Sequence, residues 1–446
     1  MPRGPRLPHL SGPARALVLG VTVVALVWTP LVAQASSFTA PVRLGFAAGD
    51  DWEPAIAADA AGHVYALFTH YGPDPFCPGC GSPHAELQAS ADGGRTWSDP
   101  RAIHPTTTRQ DDPQILVDPA GSGTVYASWM ENNKASEYVA KSTDYGATWT
   151  IALVEPLQRG IDKDILAARG QDVYVSYHTQ QKIYVSSSHD GGATWSLDRP
   201  VASTSRLGVS LPSGGAVAPD GSVYFAWAGY LGNGKPSGDV NLYVTRSLDQ
   251  GATWSTSLVA VSQPNPACSC GGWAFWGAQI ALAVDGGGTV YVLYNSSAVS
   301  GAPSRMFFAR SMDRGATWTG VADVSEAPAG ANNVFPAIVA RGNGDVRIAW
   351  MDDRNGHDAG SNDPNARWNV YDRSSTDGGA TWSDETQVSQ YESGYTYDFA
   401  TPAEGFLQPY GDYFELDIDG HGQTQMIWGE GNSYVGPGNV WYARGS

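Results

Sequence analysis

Residues 375–382 read "STDGGATW", and five near-copies stand at 90–97, 142–149, 188–195, 247–254 and 311–318. Each copy follows an alternating stretch such as "EYVAKS" or "NLYVTRS" and precedes another short apolar stretch, so each is the turn of a β-hairpin. The Asp of each copy, namely Asp92, Asp144, Asp190, Asp249, Asp313 and Asp377, is suited to accept hydrogen bonds from turn amides and from the Ser and Thr hydroxyls. Gly supplies a backbone conformation that other residues resist, and Trp buries a large ring between one hairpin and the next. Six copies of a catalytic device would be extravagant, whereas six copies of a fold element are expected. These Asp residues are therefore read as structural.

A second signal lies upstream of each turn: "HVYALF", "TVYASW", "DVYVSY", "SVYFAW", "TVYVLY", "DVRIAW" and, near the end, "QTQMIW". Each follows an apolar strand and a Gly or Asp turn, so one module is strand, tight turn, strand, variable loop, strand, repeated turn, strand. Four antiparallel strands per module make a propeller blade, and the fold class is an all-β propeller. Seven inner hairpins against six repeated turns are reconciled at the ends. The last module stops after "NVWYARGS", and the N-terminal "FTAPVRLGF" can supply its missing outer strand. That closes seven four-stranded blades with no free sheet edge; six blades with one irregular hairpin is the alternative.

S-x-D-x-G-x-T-W resembles the Asp box of the sialidase-like β-propellers, also called BNR repeats, from about Ser90 to Trp382. The resemblance implies architecture. Activity varies across that superfamily, which includes sialidases, other glycosidases, receptors and an assembly factor for photosystem II.

Residues 1–35 carry Arg3, Arg6 and Arg15, an apolar run "ALVLGVTVVALVW" and a small-x-small site at Ala33-Gln34-Ala35. They read as a secretory signal peptide, leaving residues 36–446 as a single exported propeller domain. Loss of those three arginines takes the formal charge from −18 to −21. Such a chain repels nucleic acid and anionic membrane, and it is expected to be a monomer without membrane insertion.

The spacing from the inner hairpin to the repeated Asp varies from 16 residues (Tyr174 to Asp190) to 30 (Arg347 to Asp377). The extra length falls in loops on the face opposite the repeated turns, where binding or chemistry is usually found. Acidic residues begin the inner strands on that face: Asp51, Glu53, Asp111, Asp112, Asp162, Asp164 and Asp412, with Glu131, Asp352, Asp353 and Glu430 at the ends of second strands. Some of these carboxylates are expected to accept backbone amides of the adjacent blade. Clustered carboxylates also suit a hard cation, so calcium is the possible cofactor, with Asp112, Asp162 and Asp164 as candidate ligands.

The sialidase resemblance implies an Asp acid/base, a Tyr nucleophile activated by Glu, and three arginines on the substrate carboxylate. Here "YGDYFELDIDG" offers Tyr410 or Tyr413 as nucleophile, with Asp412, Asp352 and Asp111 as catalytic carboxylates. Arg109, Arg159, Arg206 and Arg354 can form a carboxylate clamp. The family's N-terminal arginine motif is present only as "VRLG" at Arg43, and "SPHAELQAS" offers His84 and Glu86 where an acid/base Asp is expected. Trp52, Trp273, Phe275 and Trp276 can stack on a ligand. The cysteines, Cys77 with Cys80 and Cys268 with Cys270, fall in inserted loops. Disulfides are the expectation in an oxidising compartment, all three connectivities being open, and a thiolate metal site is the alternative. Two functions follow: a glycoside hydrolase of the sialidase-like type, or a non-catalytic propeller binding a glycan or protein.

Overall fold

The alternating segments pair into seven four-stranded antiparallel sheets. They are described here from a computed structural model covering Met1, Gly4 and residues 37–155, 160–179, 182–203, 210–230, 239–264, 277–356, 367–390, 413–430 and 439–446. In six sheets the strands are consecutive along the chain. The inner strands are Asp50–Ala58, Gln110–Val117, Ile161–Arg169, Ser210–Val217, Ile280–Val284, Asn333–Arg341 and Phe414–Ile418. The seventh blade takes three strands from the C-terminal end and its outer strand, Val42–Leu44, from the N-terminal end, with Arg43 opposite Trp441. Phe38 adds a bridge to Gly445, and the Thr39 amide donates to the Arg444 carbonyl at 2.9 Å. The ring therefore has seven blades, and Arg43 lies on an outer strand. All seven blades fall within one compact unit, Ala33–Ser446. Among the described residues no helix is long and apolar enough to cross a membrane.

Blades are wedged by aromatic rings. The last aromatic of the inner-hairpin signature, Phe68, Trp129, Tyr177, Trp227, Tyr294, Trp350 or Trp428, is buried in every blade. The buried apolar residues divide into seven clusters, each shared by two neighbouring blades; one joins Val334, Met351 and Trp368 to Phe414, Met426 and Trp428. Stability thus resides between the blades, and every blade has two partners only because the ring closes.

The repeated turns have the geometry their composition demands. Ser90 Oγ donates to Asp92 Oδ1 at 2.8 Å and accepts the Gly94 amide at 2.9 Å; the Thr96 amide and hydroxyl both donate to the Asp92 carboxylate. The other five copies repeat the Ser and Thr bonds. Each carboxyl is pulled below its ordinary value; that of Asp144 lies at about 2, through the hydroxyl and amide of Thr148 and the hydroxyl of Ser142. The turn docks on its own inner hairpin, the Gly93 amide donating to the Gly62 carbonyl at 2.9 Å. Trp97 meets Tyr442 of the preceding blade edge-on at 4.9 Å.

Candidate functional site at the channel mouth

Most inner strands open with a β-bulge. The pairing register jumps between Trp52 and Ala55, Asp111 and Gln114, Asp162 and Ile165, Pro212 and Gly215, and Val334 and Ala337. In four of these the residue in the left-handed region is not glycine: Glu53 (φ 55), Asp112 (φ 52), Lys163 (φ 55) and Phe335 (φ 53). Each such residue costs on the order of 1–3 kcal/mol and persists where the surroundings enforce it, often at a functional site. Bulges also re-aim side chains. These four stand five residues upstream of the residue that faces the signature Val across the hairpin. Gln279 and Tyr413 occupy the same place in the fifth and seventh blades, where Val284 faces Val290 and Ile418 faces Thr424. Lys163, Gln279, Phe335 and Tyr413 line a channel of about 330 Å³ that runs along the inner strands of all seven blades.

Three blades bring charge together around Lys163, with Glu53 and Asp112 buried beside the channel lining. Glu53 Oε2 accepts the Thr69 hydroxyl at 2.7 Å and the Asp112 amide at 2.9 Å, which ties the first blade to the second. Lys163 Nζ donates to Asp112 Oδ1 at 3.2 Å and lies 4.5 Å from the centre of the Tyr413 ring. Lys134 reaches Asp112 Oδ2 at 3.4 Å and also pairs with Asp162. Arg109 grips Asp111 with two bonds of 3.1 and 2.6 Å. The Tyr413 hydroxyl is buried and has no hydrogen-bond partner among the described residues.

The environment drives the two central carboxyls apart. Burial, and then the charge of Asp112, push Glu53 up to about 8, so it carries a proton at neutral pH. Against the same burial, the ammonium groups of Lys163 and Lys134 hold Asp112 well below the ordinary carboxylate range. Burial and the charges of Asp112 and Asp164 raise Tyr413 well above the usual phenol value. Behind them Asp164 and Glu137, both fully buried, are pushed up by desolvation, and Asp164 Oδ2 accepts the Ser128 hydroxyl at 2.6 Å, while burial lowers His178 to about 4.

The sequence-derived candidates divide accordingly. Glu53, Asp111, Asp112, Asp162, Asp164 and Tyr413 belong to this cluster. The cation expected on Asp112, Asp162 and Asp164 meets a competitor, because the ammonium groups of Lys134 and Lys163 already neutralise Asp112 and Asp162. Asp51 accepts the Phe46 amide and His70 Nδ1, both at 2.8 Å, deep in the first blade. Trp52 is 2% exposed; instead of forming a stacking surface, its ring is buried. Arg354 lies over the Tyr371 ring at 3.7 Å and pairs with Asp352 and Glu385 on the sixth blade. Asp352 accepts the Trp350 indole at 3.0 Å and is pushed by burial to about 6. Glu131 likewise accepts the Trp129 indole, and it orders Thr108 and His104. Asp353 accepts the Asn355 and Arg367 amides. Cys77 and Cys80 form a disulfide with each other. Tyr410, Asp412, Arg159, Arg206, Trp273, Phe275, Trp276, Cys268 and Cys270 lie outside the described residues, as does the side chain of Glu430.

Sequence reasoning missed Lys134, Lys163 and Gln279, because a survey of acidic residues passes over the cations between them. The signal was present: "DDWEP", "RQDDPQ" and "NNVFPA" share a Pro directly after the bulge residue, and laying the inner strands in register brings Lys163 and Tyr413 to the same place.

The family model of the BNR repeat-like domain matches residues 34–269. No curated protein matches the sequence. Among solved structures, a protein of unknown function from Dyadobacter fermentans is 13% identical at a TM-score of 0.51, the alignment covering 92% of this chain and 99% of that one. A polysaccharide lyase, an ulvan lyase bound to a glucuronate and sulfated rhamnose unit, is 10% identical at 0.53, with 90% and 95% covered. The NanB sialidase of Streptococcus pneumoniae is 11% identical at 0.45, with 90% and 70% covered. At these identities the likeness is one of fold. With more than half of its residues matched by the family model, the chain belongs to the BNR repeat-like domain family.

Proposed function

We propose that this protein is a glycan-cleaving enzyme whose reaction centre is the cluster of bulge residues at the channel mouth. The observation that carries the reading is the contact between Glu53, raised to about 8, and Asp112, held anionic by two lysines. Neighbouring carboxyls driven in opposite directions are the arrangement by which one site supplies both a proton donor and a fixed negative charge. Glu53 is the acid that protonates a departing glycosidic oxygen. Tyr413, whose hydroxyl has no hydrogen-bond partner among the described residues, takes the nucleophile's place implied by the sialidase resemblance. Because its phenol is raised, attack must be coupled to transfer of its proton to a carboxylate of the cluster. Asp112 and the two lysines fix the field in which sugar charge develops. The ulvan lyase and sialidase likenesses favour an anionic polysaccharide or sialoside among possible substrates. Export is part of the same proposal, supported by the leader-like residues 1–35 and by the Cys77–Cys80 disulfide.

A second reading, glycan or protein binding without turnover, is favoured by the ion pairs themselves, since Lys134 and Lys163 already satisfy Asp112. The test is release of product from fluorogenic glycosides, sialosides and uronate polysaccharides by the purified chain and by Glu53→Gln and Tyr413→Phe. Turnover by the native chain that both variants lose supports the enzyme; binding of a glycan without turnover supports the second reading.

A further inference from the structure

A second polar cluster lies in the first blade, apart from the channel-mouth residues. His84 and Glu86 are two residues apart on the strand His84–Ser90, so their side chains leave the same face of the sheet. His70 lies directly opposite His84 on the strand Val64–Tyr71 and therefore shares that face. Asp74, in the loop between the two strands, closes over them. His84 Nε2 is 2.8 Å from Glu86 Oε1 and 3.1 Å from Asp74 Oδ2. One ligand atom from each of Asp74, His84 and Glu86 lies within 4.8 Å of the others, and all three residues are buried.

The protein alone leaves this group short of positive charge and of donors. A single imidazole nitrogen, His84 Nε2, faces two carboxylates, and Glu86 Oε2, in a residue that is 0% exposed, has no hydrogen-bond donor among the described residues. Burying carboxylates in that state is costly unless a proton or a cation is supplied. An independent observation points to the cation. His70, also 0% exposed, has its Nδ1 2.8 Å from Asp51 Oδ1, and its buried Nε2 has no hydrogen-bond partner among the described residues. A carboxylate holding one ring nitrogen so that the other is bare is the arrangement that orients metal-ligating histidines. The His70 and His84 rings meet edge to face, 5.8 Å between centres.

We propose that Asp74, His84 and Glu86 bind a divalent transition metal, with His70, just outside that ligand group, as the neighbouring imidazole. Mixed imidazole and carboxylate donors suit zinc or manganese better than calcium. The metal would pin the loop that also carries the Cys77–Cys80 disulfide, so that the long first-blade insertion is held at both features. Binding does not depend on the catalytic proposal.

The purified chain, stripped with chelator, reloaded with zinc chloride and desalted, is expected to retain about one zinc per chain. Glu86→Gln and Asp74→Asn are each expected to weaken zinc binding by at least about tenfold. Cobalt in place of zinc should give the absorption bands of a metal held by nitrogen and oxygen ligands, unchanged by excess calcium. No retained zinc and no cobalt bands in the native chain would overturn the site, whether or not the variants fold. Zinc retained equally by the native chain and both folded variants would overturn it as well.

Discussion

At the scale of single residues, the chemistry turns on a glutamate that keeps its proton. Glu53 is buried, touches the Asp112 backbone and lies at about 8, so the acid form persists through neutral pH. If it is the proton donor, kcat/KM should fall as pH rises through about 8. Glu53→Gln should lower kcat by roughly 100-fold or more and remove that limb, as expected for loss of a general acid. Lys163→Met removes one of the two cations on Asp112 and the cation over Tyr413. It should raise the Asp112 carboxyl and move the acid limb of the pH profile upward, which a titration of kcat against pH would reveal.

At the scale of the element, the repeated turn joins backbone conformation to interblade packing. Gly94 has φ 77, and a Cβ added there would lie 1.7 Å from the Tyr442 hydroxyl of the preceding blade. Gly121 has a similar φ of 86 with nothing within 4 Å of its would-be Cβ. Gly94→Ala should therefore cost about 1–3 kcal/mol more than Gly121→Ala in urea denaturation, the backbone penalty being common to both. Equal losses would mean that the turn does not bear on its neighbour. The bulge is the other telling element. The acids at Glu53 and Asp112 were legible as candidates, and the expectation that pit carboxylates accept amides of the adjacent blade is met where Glu53 accepts the Asp112 amide. Which side chains converge was not legible, because a bulge changes the direction of a side chain without leaving a mark in hydrophobic alternation. Trp52 and Glu53 show this: adjacent in sequence, the first is packed into the blade and the second enters the charged cluster.

At the scale of the whole molecule, closure of the ring was readable because its parts repeat. The sequence copies count the modules, and the truncated last module asks for an N-terminal strand. Removing residues 37–46 should strip the seventh blade of its outer strand and of the Phe38 bridge, lowering the unfolding midpoint and exposing a pairing edge to association. A chain that stays monomeric with an unchanged midpoint would deny the strand its closing role.

The same closure sets the response to pH. Glu415 Oε2 accepts the Ile56 amide at 3.0 Å and Asp417 Oδ2 the Ala58 amide at 2.7 Å, joining the last blade to the first. Burial raises Glu415 to about 8 and Asp417 to about 6. Folded values above the ordinary 4.5 and 3.8 mean that the native state binds more protons than the unfolded chain. Their contribution is fully present below the ordinary carboxylate range and is lost as pH rises through 6 to 8. The repeated Asp turns act oppositely, losing their contribution only as pH falls below the ordinary aspartate value toward about 2. The urea midpoint should therefore be higher at pH 5 than at pH 8, and Glu415→Gln should reduce that difference.

The most direct measurement is product release from the glycan panel by the native chain and by Glu53→Gln, with folding of both verified by circular dichroism. Turnover by the native chain, falling above pH about 8 and absent in the variant, is the expected result. Glycan turnover that is undiminished in a folded Glu53→Gln protein would contradict a reaction centre at the channel mouth.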